Sequence, residues 1–573
     1  MPFHAPVSDF QFLLDHVVDF TRVTATERFS EADKVVTEAI LTEAGRMCEN
    51  TLYPVQRNGD LQGAVLENGV VRTSPGYAAA YAQVAAGGWI STSASPEFGG
   101  MGLPHSITTA VNEMMSAACL SLQLNPLMTQ GQIEALEHHA SDEIKAMYLP
   151  KLITGEWAGT MNLTEPAAGS DVGELRSKAE LNSDGTYAVT GQKIYISWGD
   201  NDFTSNVCHL VLARLPDGAP GTKGISLFMV PKLIPDENGE PGVANSLKVV
   251  SLEHKLGLHG SPTAVMEYSA ATGWLIGDAH DGMKCMFTMM NNARLGVGGQ
   301  GIGVAEGAYQ HALSYALDRK QGQSLMRGGT GTIFDHADVR RMLTTMKADI
   351  FAARAIEMSC AVAIDMGTAT DEADWKARAA FLTPIAKVFG TETGISVAEM
   401  GIQVHGGMGF IEETGAAQYA RDVRVTAIYE GTNGIQAMDL VGRKLMDGGD
   451  AAYAMLDEIE DLAESVRESM LELAEPLWEA TETLREATEW MVAQGDMNER
   501  FAGAAPFLKG FARVLGGYFH LRAAIADGSD GTRGKLAQFY IKRLLPEHFG
   551  LLAHAVQGAN GLYSLSSEEL SAA

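Results

Sequence analysis

The chain has 573 residues, 46% of them hydrophobic, which predicts a large globular protein of about three or four domains. Its 42 basic and 71 acidic residues give a formal net charge of -29, which argues against nucleic acid or an anionic membrane surface as a general partner. The five cysteines are scattered and lack Cys-x-x-Cys spacing, so we expect neither a disulfide framework nor a metal site.

The N-terminal segment has no basic residue before Arg22, and acidic residues interrupt its apolar positions. This pattern argues against a signal peptide, and no apolar run elsewhere in the sequence is long enough to cross a bilayer. We therefore expect a cytoplasmic protein without a membrane span.

Three kinds of sequence pattern follow one another along the chain. From about 31 to 155, apolar residues recur at spacings of three and four in alanine-rich stretches, which predicts closely packed helices. From about 160 to 275, short alternating or β-branched segments are separated by Gly, Asp, Asn and Pro, which predicts a β-domain. Helices are predicted again after that, including one over 298–320.

The region after about 445 is predicted to be a separate helical unit. Residues 441–573 include 12 basic and 21 acidic residues, a net charge of -9. Acidic faces of this kind usually contact solvent, so we interpret the region as a structural helical domain.

Two segments near the β-domain have the composition of a ligand site. The stretch 161–179 combines small residues with the hydroxyls of Thr164 and Ser170, and small residues allow a flat or phosphorylated ligand to approach the backbone. Tyr195 and Ser197 are two residues apart, so in a regular strand they share one side. Taken alone, the first segment is more simply a loop, and the second suits a half-exposed strand as well as a ring-shaped cofactor.

Five ordered motifs, which together cover about 155 to 445, resemble those of the acyl-CoA dehydrogenase family. They are "LTEPAAGSD", "GQKIYIS", "NNARLGVGGQGIGVAEGAYQHALSYALDRKQ", "QVHGGMGF" and "YARDVRVTAIYEGTNGIQ". The resemblance implies an α+β multidomain fold, with an N-terminal helical domain, a central β-barrel and a C-terminal four-helix bundle, and FAD held between barrel and bundle. An N-terminal extension and an extra C-terminal helical domain are additions to that pattern. The expected boundaries are 1–35 for the extension, 36–157 for the helical domain, 158–277 for the β-barrel, 278–445 for the bundle and 446–573 for the extra domain.

Both additions, and the stretches "SASPEFGGMGLP" and "RGGTGTIFDHADVRRML", are similar to one subgroup of this family. The subgroup includes enzymes of dimethylsulfoniopropionate breakdown and broad-range bacterial acyl-CoA dehydrogenases. The resemblance implies FAD-dependent α,β-dehydrogenation of a short acyl-CoA, with 3-methylthiopropanoyl-CoA as the expected substrate and 3-methylthioacryloyl-CoA as the product. The alternative is a broad short- or medium-chain fatty acyl-CoA dehydrogenase of the β-oxidation type.

The resemblance also assigns cofactor contacts before and within the β-domain. The segment containing Met161, Leu163 and Thr164 is expected along the flavin's pyrimidine edge. Gly169 and Ser170 are expected near the pyrophosphate, with Ser170 also near the acyl-CoA. The remaining two positions are Tyr195, where many members have tryptophan against the flavin, and Ser197, where threonine is common.

Further cofactor contacts are expected across a subunit interface, which implies a homo-oligomer, expected as a homodimer. Arg319 matches the arginine that reaches the FAD phosphates of the partner subunit, and charge-assisted bonds to phosphate explain the residue type. Gln403, Gly406 and Gly407 match the loop that receives the adenosine part. Thr432 and Asn433 match residues near the FAD diphosphate, although serine or threonine is more usual at Asn433.

Four residues are expected on the substrate side: Ser170, Asn291, Arg294 and Gly431. Arg294 matches an arginine that faces the CoA portion, whereas Asn291 replaces a frequent aspartate. The segment 321–336 departs from the shorter family pattern, so no FAD contact is assigned within it.

Glu430 is the expected catalytic base, since it matches the glutamate that removes the α-proton in this family. Some members carry the base at the position of Ala293, where alanine cannot accept a proton. An apolar setting raises the pKa of a carboxylate from about 4.3 toward a useful basicity. The alternatives for a lone glutamate are a cap or an ion pair, here with Arg421 or Arg424. A rival carboxylate, Glu165, precedes a proline and is expected to be structural.

The expected electron acceptor is an electron-transfer flavoprotein. An acyl-CoA oxidase would share Glu430 and FAD but release hydrogen peroxide. A flavin-binding, DNA-associated relative is a further alternative, and it should carry a basic C-terminal domain. The net charge of -9 opposes that alternative.

Overall fold

The computed structural model describes residues 3–572, which form two compact units. Unit 1 contains the described N-terminal residues up to Val7, together with Ala32–Gly296 and Glu412–Arg424. Unit 2 contains Ser8–Glu31, Val297–Ile411 and the chain from Val425 onward.

The helices of the first half of the chain are α1 (Val7–His16), α2 (Phe20–Thr24), α3 (Lys34–Met47), α4 (Tyr53–Leu61), α5 (Tyr77–Ala86), α6 (His105–His139), α7 (Asp142–Ile153) and α8 (Gly282–Asp318). Those that follow are α9 (Ala337–Thr370), α10 (Ala373–His405), α11 (Ala416–Val423), α12 (Asn433–Asp439), α13 (Asp450–Ser465), α14 (Leu471–Ala493), α15 (Met497–Asp527), α16 (Thr532–Arg543), α17 (Glu547–Ala555) and α18 (Ser567–Ser571).

The strands are β1 (Val65–Glu67), β2 (Val70–Arg72), β3 (Trp157–Asn162), β4 (Lys178–Leu181), β5 (Tyr187–Ser197), β6 (Asn206–Arg214), β7 (Ile225–Pro231), β8 (Leu233–Pro235), β9 (Pro241–Ala244), β10 (Leu247–Leu252) and β11 (Thr263–Ile276).

The β-domain of unit 1 is a seven-stranded sheet with the order β10-β11-β5-β4-β6-β3, in which β7 pairs with both β11 and β6. This double pairing of β7 closes the path between distant strands, as in a barrel. The strand β6 is parallel to β3 and β4 and antiparallel to β7, with Val211 opposite Phe228. Strands β6 and β7 are buried along nearly their whole length, which explains their almost continuous apolar sequences.

Helix α6 forms the core of the helical part of unit 1, because most of its side chains are buried. Its helical geometry is broken at Cys119, where φ is -160° and ψ is 85°. Two bonds tie it to the β-domain: Thr129 Oγ1 accepts from the Gly159 N–H at 3.0 Å, and Gln132 Nε2 donates to the Cys208 carbonyl at 3.0 Å.

Unit 2 combines long helices with Ser8–Glu31, the larger part of the N-terminal extension. Asp9 of α1 pairs with Arg354 of α9 at 3.2 Å and with Arg533 of α16. Arg522 of α15 donates to both carboxylate oxygens of Asp19, at 2.8 and 2.6 Å. The extension is therefore bound by ion pairs both to α9 and to the C-terminal helices.

The helix predicted over 298–320 starts earlier than expected, because α8 is continuous from Gly282. The glycines in "LGVGGQGIG" resemble a helix break in sequence, yet they let α10 approach closely. A Cβ on Gly298 would lie 3.0 Å from the Ala386 carbonyl oxygen, and one on Gly301 would lie 2.4 Å from that of Gly390. Tertiary packing here outweighs the low helix propensity of glycine.

All five cysteines are buried as free thiols. Within residues 3–572 there is no helix with the length and apolarity needed to cross a membrane. The same residues contain no group of three or more His, Cys, Asp or Glu side chains arranged to hold a metal ion.

Candidate functional site

Glu430 lies in a short irregular segment that precedes α12, in unit 2. Its φ is 55°, and that of the next residue, Gly431, is 84°. A left-handed conformation costs a residue with a Cβ about 1–2 kcal/mol, so it persists only where surrounding contacts impose it. The Glu430 side chain is half-buried. The backbone at this position is therefore strained, which is frequent at functional sites.

Side chains from unit 2 bind the backbone of this segment on both sides of the Glu430–Gly431 bond. Gln436 Nε2 donates to the Glu430 carbonyl at 3.2 Å, and Lys387 Nζ donates to the Gly431 carbonyl at 3.0 Å. A Cβ on Gly431 would lie 2.6 Å from Gln436 Nε2, so both the positive φ and the close approach require glycine there.

The neighbours of Glu430 are also bound within the chain. The Tyr429 hydroxyl donates to Gln300 Oε1, and burial, followed by the negative charge of Glu430, raises the pKa of Tyr429 well above its ordinary value. Thr432 caps α12 by accepting from the Ile435 N–H at 3.2 Å. Asn433 Oδ1 accepts from Lys387 Nζ at 2.8 Å. Thr432 and Asn433 thus have structural contacts in addition to the cofactor role that the resemblance predicts.

Arg421, one of the two arginines expected as an ion-pair partner of Glu430, forms ion pairs with other carboxylates in unit 1. It donates to both carboxylate oxygens of Asp60, at 2.6 and 2.7 Å, and to Glu412 at 2.9 Å. Ala293, the alternative base position, is a buried residue of α8.

In unit 1, the segment after β3 is joined to the end of β5. The Ile194 N–H donates to the Thr164 carbonyl at 2.9 Å. Glu165 and Ala168 form a tight turn through two backbone bonds of 3.0 Å, and Gly169 and Ser170 beyond it are exposed. Thr164 is half-buried.

The regular strand assumed for Tyr195 and Ser197 is interrupted by a bulge. Ser197 faces Thr263 and Ile196 faces Ala264, but Met266 faces Lys193, so two residues of β5 occupy the place of one. Tyr195 has a φ of 60° and is 60% exposed. Simple alternation therefore does not set the direction of the Tyr195 ring. A bulge depends on the register of the partner strand, which the β5 sequence does not contain.

A buried ion pair fixes the turn after β3. Lys193 Nζ donates to Glu165 Oε1 at 2.7 Å and to the Leu163 carbonyl at 2.9 Å. The other donors to the Glu165 carboxylate are the N–H groups of Arg176 at 2.6 Å and Ser177 at 3.1 Å. Glu165 thus has the structural role expected of it.

The residues assigned to the cofactor in unit 1 fit a group with a flat ring and phosphates. Tyr195 is 60% exposed and offers an aromatic ring, while Ser170, which is exposed, and Thr164, which is half-buried, carry hydroxyl groups. A Cβ built on Gly169 would meet no atom within 4 Å, so its backbone is open to a ligand. Met161 and Ser197 are half-buried, whereas Leu163 is 9% exposed and can reach a ligand mainly through its backbone.

Four of the residues assigned to the cofactor in unit 2 are exposed, namely Arg319, Gln403, Gly406 and Gly407, whereas Thr432 and Asn433 are half-buried. Arg319 follows the last residue of α8, and its carbonyl accepts from the Ile333 N–H at 2.8 Å. Gln403, Gly406 and Gly407 lie at the end of α10, where Gly406 has a φ of 61°. A Cβ on either glycine would meet nothing within 4 Å. An exposed guanidinium suits phosphate binding, and open glycine backbone allows close approach of the adenosine part.

The two residues assigned to the CoA side are paired on α8. Arg294 Nη1 donates to Asn291 Oδ1 at 3.2 Å, and the Arg294 guanidinium lies 5.7 Å from the Phe287 ring centre. Asn291 thus binds the arginine as an aspartate would, but its amide does not neutralise the positive charge. Arg294 is 7% exposed, whereas Asn291 is exposed.

Sequence reasoning missed Lys387, Gln436 and Lys193, which hold the two site segments. A signal was present for the lysines, because each is a single charge within an apolar stretch, "PIAKVFG" for Lys387 and "GQKIYIS" for Lys193. Lysine is almost never fully buried unless paired. The partners could not be inferred, since they lie 44 and 28 residues away along the chain.

Family models match most of the chain. Three are described as the N-terminal, middle and C-terminal domains of acyl-CoA dehydrogenase, and they match residues 37–156, 160–271 and 280–446. A fourth, described as acetyl-CoA dehydrogenase C-terminal like, matches residues 455–566.

Several relatives match nearly the whole length of the chain. It is 44% identical to 3-methylmercaptopropionyl-CoA dehydrogenase of Ruegeria pomeroyi over 94% of each chain. It is 32% identical to a butyryl-CoA dehydrogenase of Syntrophomonas wolfei over 95% of each chain.

Solved structures show the same fold at lower identity. Caenorhabditis elegans ACDH-11 in complex with C11-CoA has a TM-score of 0.78 at 20% identity, covering 94% of this chain and 91% of that one. An acyl-CoA dehydrogenase from Bacillus anthracis complexed with FAD has a TM-score of 0.72 at 22% identity, covering 95% and 90%.

Proposed function

Because this chain belongs to the acyl-CoA dehydrogenase family of FAD-dependent oxidoreductases, we propose that it dehydrogenates 3-methylthiopropanoyl-CoA to 3-methylthioacryloyl-CoA. Support for this substrate comes from the relative named for it, which is 44% identical over 94% of each chain. The observation that carries the catalytic assignment is the strained, tightly held backbone at Glu430.

In the proposed reaction, the Glu430 carboxylate takes the α-proton of the thioester. The electron pair of the broken C–H bond becomes the new α,β double bond as hydride leaves the β-carbon. FAD, when bound, supplies the oxidising capacity by accepting that hydride and its two electrons. A carboxylate is a weak base in water, so a bound acyl chain that excludes water raises its basicity.

The remaining residues are proposed to bind and orient. Thr164, Ser170, Tyr195 and Ser197, with Met161, Leu163 and Gly169, hold FAD from unit 1. Arg319, with Gln403, Gly406 and Gly407, binds the FAD of a second copy of the chain, and Thr432 and Asn433 lie toward the diphosphate. Asn291, Arg294, Ser170 and Gly431 contact the acyl-CoA. This arrangement requires a homodimer or a higher oligomer, with an electron-transfer flavoprotein as the acceptor.

A broad short-chain fatty acyl-CoA dehydrogenase is the second candidate, favoured by the 32% identical relative named for butyryl-CoA. A panel pairing 3-methylthiopropanoyl-CoA with butanoyl-, hexanoyl- and octanoyl-CoA separates the two, with flavin bleaching under anaerobic conditions as the readout. The proposal predicts the highest kcat/KM for the thioether substrate. A higher value for butanoyl-CoA supports the second candidate.

Glu430→Gln tests the base. The variant should retain FAD absorbance yet reduce its flavin about 10²- to 10⁴-fold more slowly with every acyl-CoA, as expected for loss of a general base. Glu468→Gln, a change at an exposed residue of the extra domain, is the control and should behave as the unmodified protein. Flavin reduction by Glu430→Gln within threefold of that control would refute the assignment.

A further inference from the structure

We propose that Lys387 is a positioning residue for Glu430: its ammonium group holds the Gly431 carbonyl and so fixes the direction of the Glu430 carboxylate. This inference rests on the function proposed above. It concerns a residue on α10, a helix that contains none of the groups assigned to the proton transfer.

The burial of Lys387 indicates that its charge has a specific use. Its side chain is 0% exposed within a helix of largely apolar neighbours. A buried ammonium group is tolerated only with good hydrogen-bond partners, because water otherwise solvates it far better. Two of its bonds go to the segment after Glu430: 3.0 Å to the Gly431 carbonyl and 2.8 Å to Asn433 Oδ1.

Thr391 adds a second connection from α10 to the same segment. It lies four residues after Lys387, hence on the same face of the helix. Its hydroxyl and the Asn433 side chain lie within hydrogen-bond distance through both amide atoms, at 3.3 and 3.2 Å. Lys387 and Thr391 together therefore hold Asn433, the first residue of α12, as well as the Gly431 carbonyl.

The consequence for Glu430 follows from its backbone conformation. Its own carbonyl is held by the fully buried Gln436, and the next carbonyl is held by Lys387. Two successive carbonyls are thus fixed, which restricts the ψ angles of Glu430 and Gly431 while both residues have positive φ. Without the Lys387 bond, the peptide after Gly431 is free to rotate and the strain at Glu430 can relax. The carboxylate then points elsewhere for much of the time.

A misdirected base slows proton transfer without abolishing substrate binding. A general base must lie within hydrogen-bond reach of the proton it removes, and a displacement of about 1 Å can cost about 100-fold in rate. Loss of the Lys387 bond should therefore lower kcat much more than it changes KM.

The test compares three variants of the full-length, FAD-loaded protein. Lys387→Met keeps the length and apolar body of the side chain but removes the donor. Lys387→Gln removes the charge but keeps an N–H donor, so it should recover part of the lost activity, and it serves if the Met variant fails to fold. Lys535→Met, a change at an exposed lysine of α16, is the matched control.

Two measurements are made on each variant. Amide hydrogen exchange over 428–436 in the substrate-free holoenzyme should become about tenfold faster in Lys387→Met, because the loop opens more often. Stopped-flow flavin reduction by 3-methylthiopropanoyl-CoA should slow about 10- to 100-fold, with KM within threefold of the unmodified protein. Lys387→Gln should fall between, and the control should change neither quantity.

Faster exchange together with slower flavin reduction supports the proposal. Unchanged exchange in both Lys387 variants overturns it, and so does faster exchange with an unaltered reduction rate. The exchange measurement needs no turnover, so it reports on the loop whichever residue is the base. Failure of the proposed function appears separately, as retained flavin reduction in Glu430→Gln.

Discussion

Replacement of Lys193 by methionine should destabilise the β-domain substantially, because it leaves a buried carboxylate without its counter-ion. Lys193 is 0% exposed and Glu165 is 6% exposed, and their side chains meet at 2.7 Å. Burial lowers the pKa of Lys193 to about 8, against the opposing effect of Glu165, so the lysine is still protonated at pH 7. The change therefore removes a real positive charge.

The expected loss of stability depends on the hydrogen-bond donors that remain around the Glu165 carboxylate. Loss of one partner of a buried ion pair typically costs about 3–5 kcal/mol. Two backbone N–H groups, those of Arg176 and Ser177, continue to solvate the carboxylate, which places the expected cost near the lower end, about 3 kcal/mol. In Lys193→Met/Glu165→Gln no charge is buried and the amide oxygen can still accept one of those bonds. The double variant should thus be about 1–2 kcal/mol more stable than the sum of the two single changes predicts.

These changes in the free energy of unfolding are measured by urea unfolding of the FAD-loaded protein at pH 7, monitored through the fluorescence of the β-domain. Lys178→Met is the control, since the Lys178–Glu180 pair lies in the same domain at 2.8 Å but with side chains 61% and 58% exposed. An exposed pair contributes about 0–1 kcal/mol. If Lys193→Met cost no more than Lys178→Met, or if the single changes were additive, the buried pair would not stabilise the turn as argued.

Three more changes test separate parts of the molecule. Arg319→Ala should weaken FAD retention and self-association together, measured by absorbance and analytical ultracentrifugation; a stable FAD-loaded monomer would contradict the shared site. Burial raises the pKa of Asp422 to about 6, so the unmodified protein loses stability as the pH rises from about 4 through 6. The free energy of unfolding of Asp422→Asn, relative to that of the unmodified protein, should therefore increase by about 3 kcal/mol over that range. A difference that does not change with pH would contradict this. Burial alone would raise the pKa of Asp9, but Arg354 and Arg533 outweigh it and lower the pKa. In denaturant titrations, Asp9→Asn should therefore lower the free energy of unfolding by about 3 kcal/mol at pH 7 and by progressively less below pH 4. An equal loss of stability at pH 3 would contradict the ion-pair origin.

The order of the domains was accessible from sequence because it depends on local periodicity. Long apolar repeats at three and four gave the helices, and the short β-branched segments gave the β-domain, including the almost fully buried strands β6 and β7. The start of α8 was wrong because glycine has a low helix propensity, whereas Gly298 and Gly301 serve a close contact with α10. Such a contact involves residues about 90 positions apart, which no local pattern records.

The sequence predicts less of the candidate site than of the order of the domains. The resemblance to the family, carried by five ordered motifs, predicts site residues in the segments 161–170 and 428–433, whereas composition alone made the first segment more simply a loop. The backbone conformations of those segments could not be predicted from the sequence. The bulge at Tyr195 depends on the register with β11, and the left-handed backbone at Glu430 depends on Gln436 and Lys387.

Lys193 and Lys387 have the same structural role in two different units. Each is fully buried, and each donates to a backbone carbonyl in an irregular segment that carries proposed site residues: Leu163 for Lys193 and Gly431 for Lys387. Irregular backbone has no neighbouring strand or helical turn to satisfy its carbonyls, so a long side chain with three donors can reach and fix it. Regular secondary structure would satisfy those groups itself, but it would not allow the positive φ that Glu430 adopts. A buried lysine therefore lets such a segment be both irregular and rigid, which is what a carboxylate base on a loop requires if it is to meet one particular C–H bond.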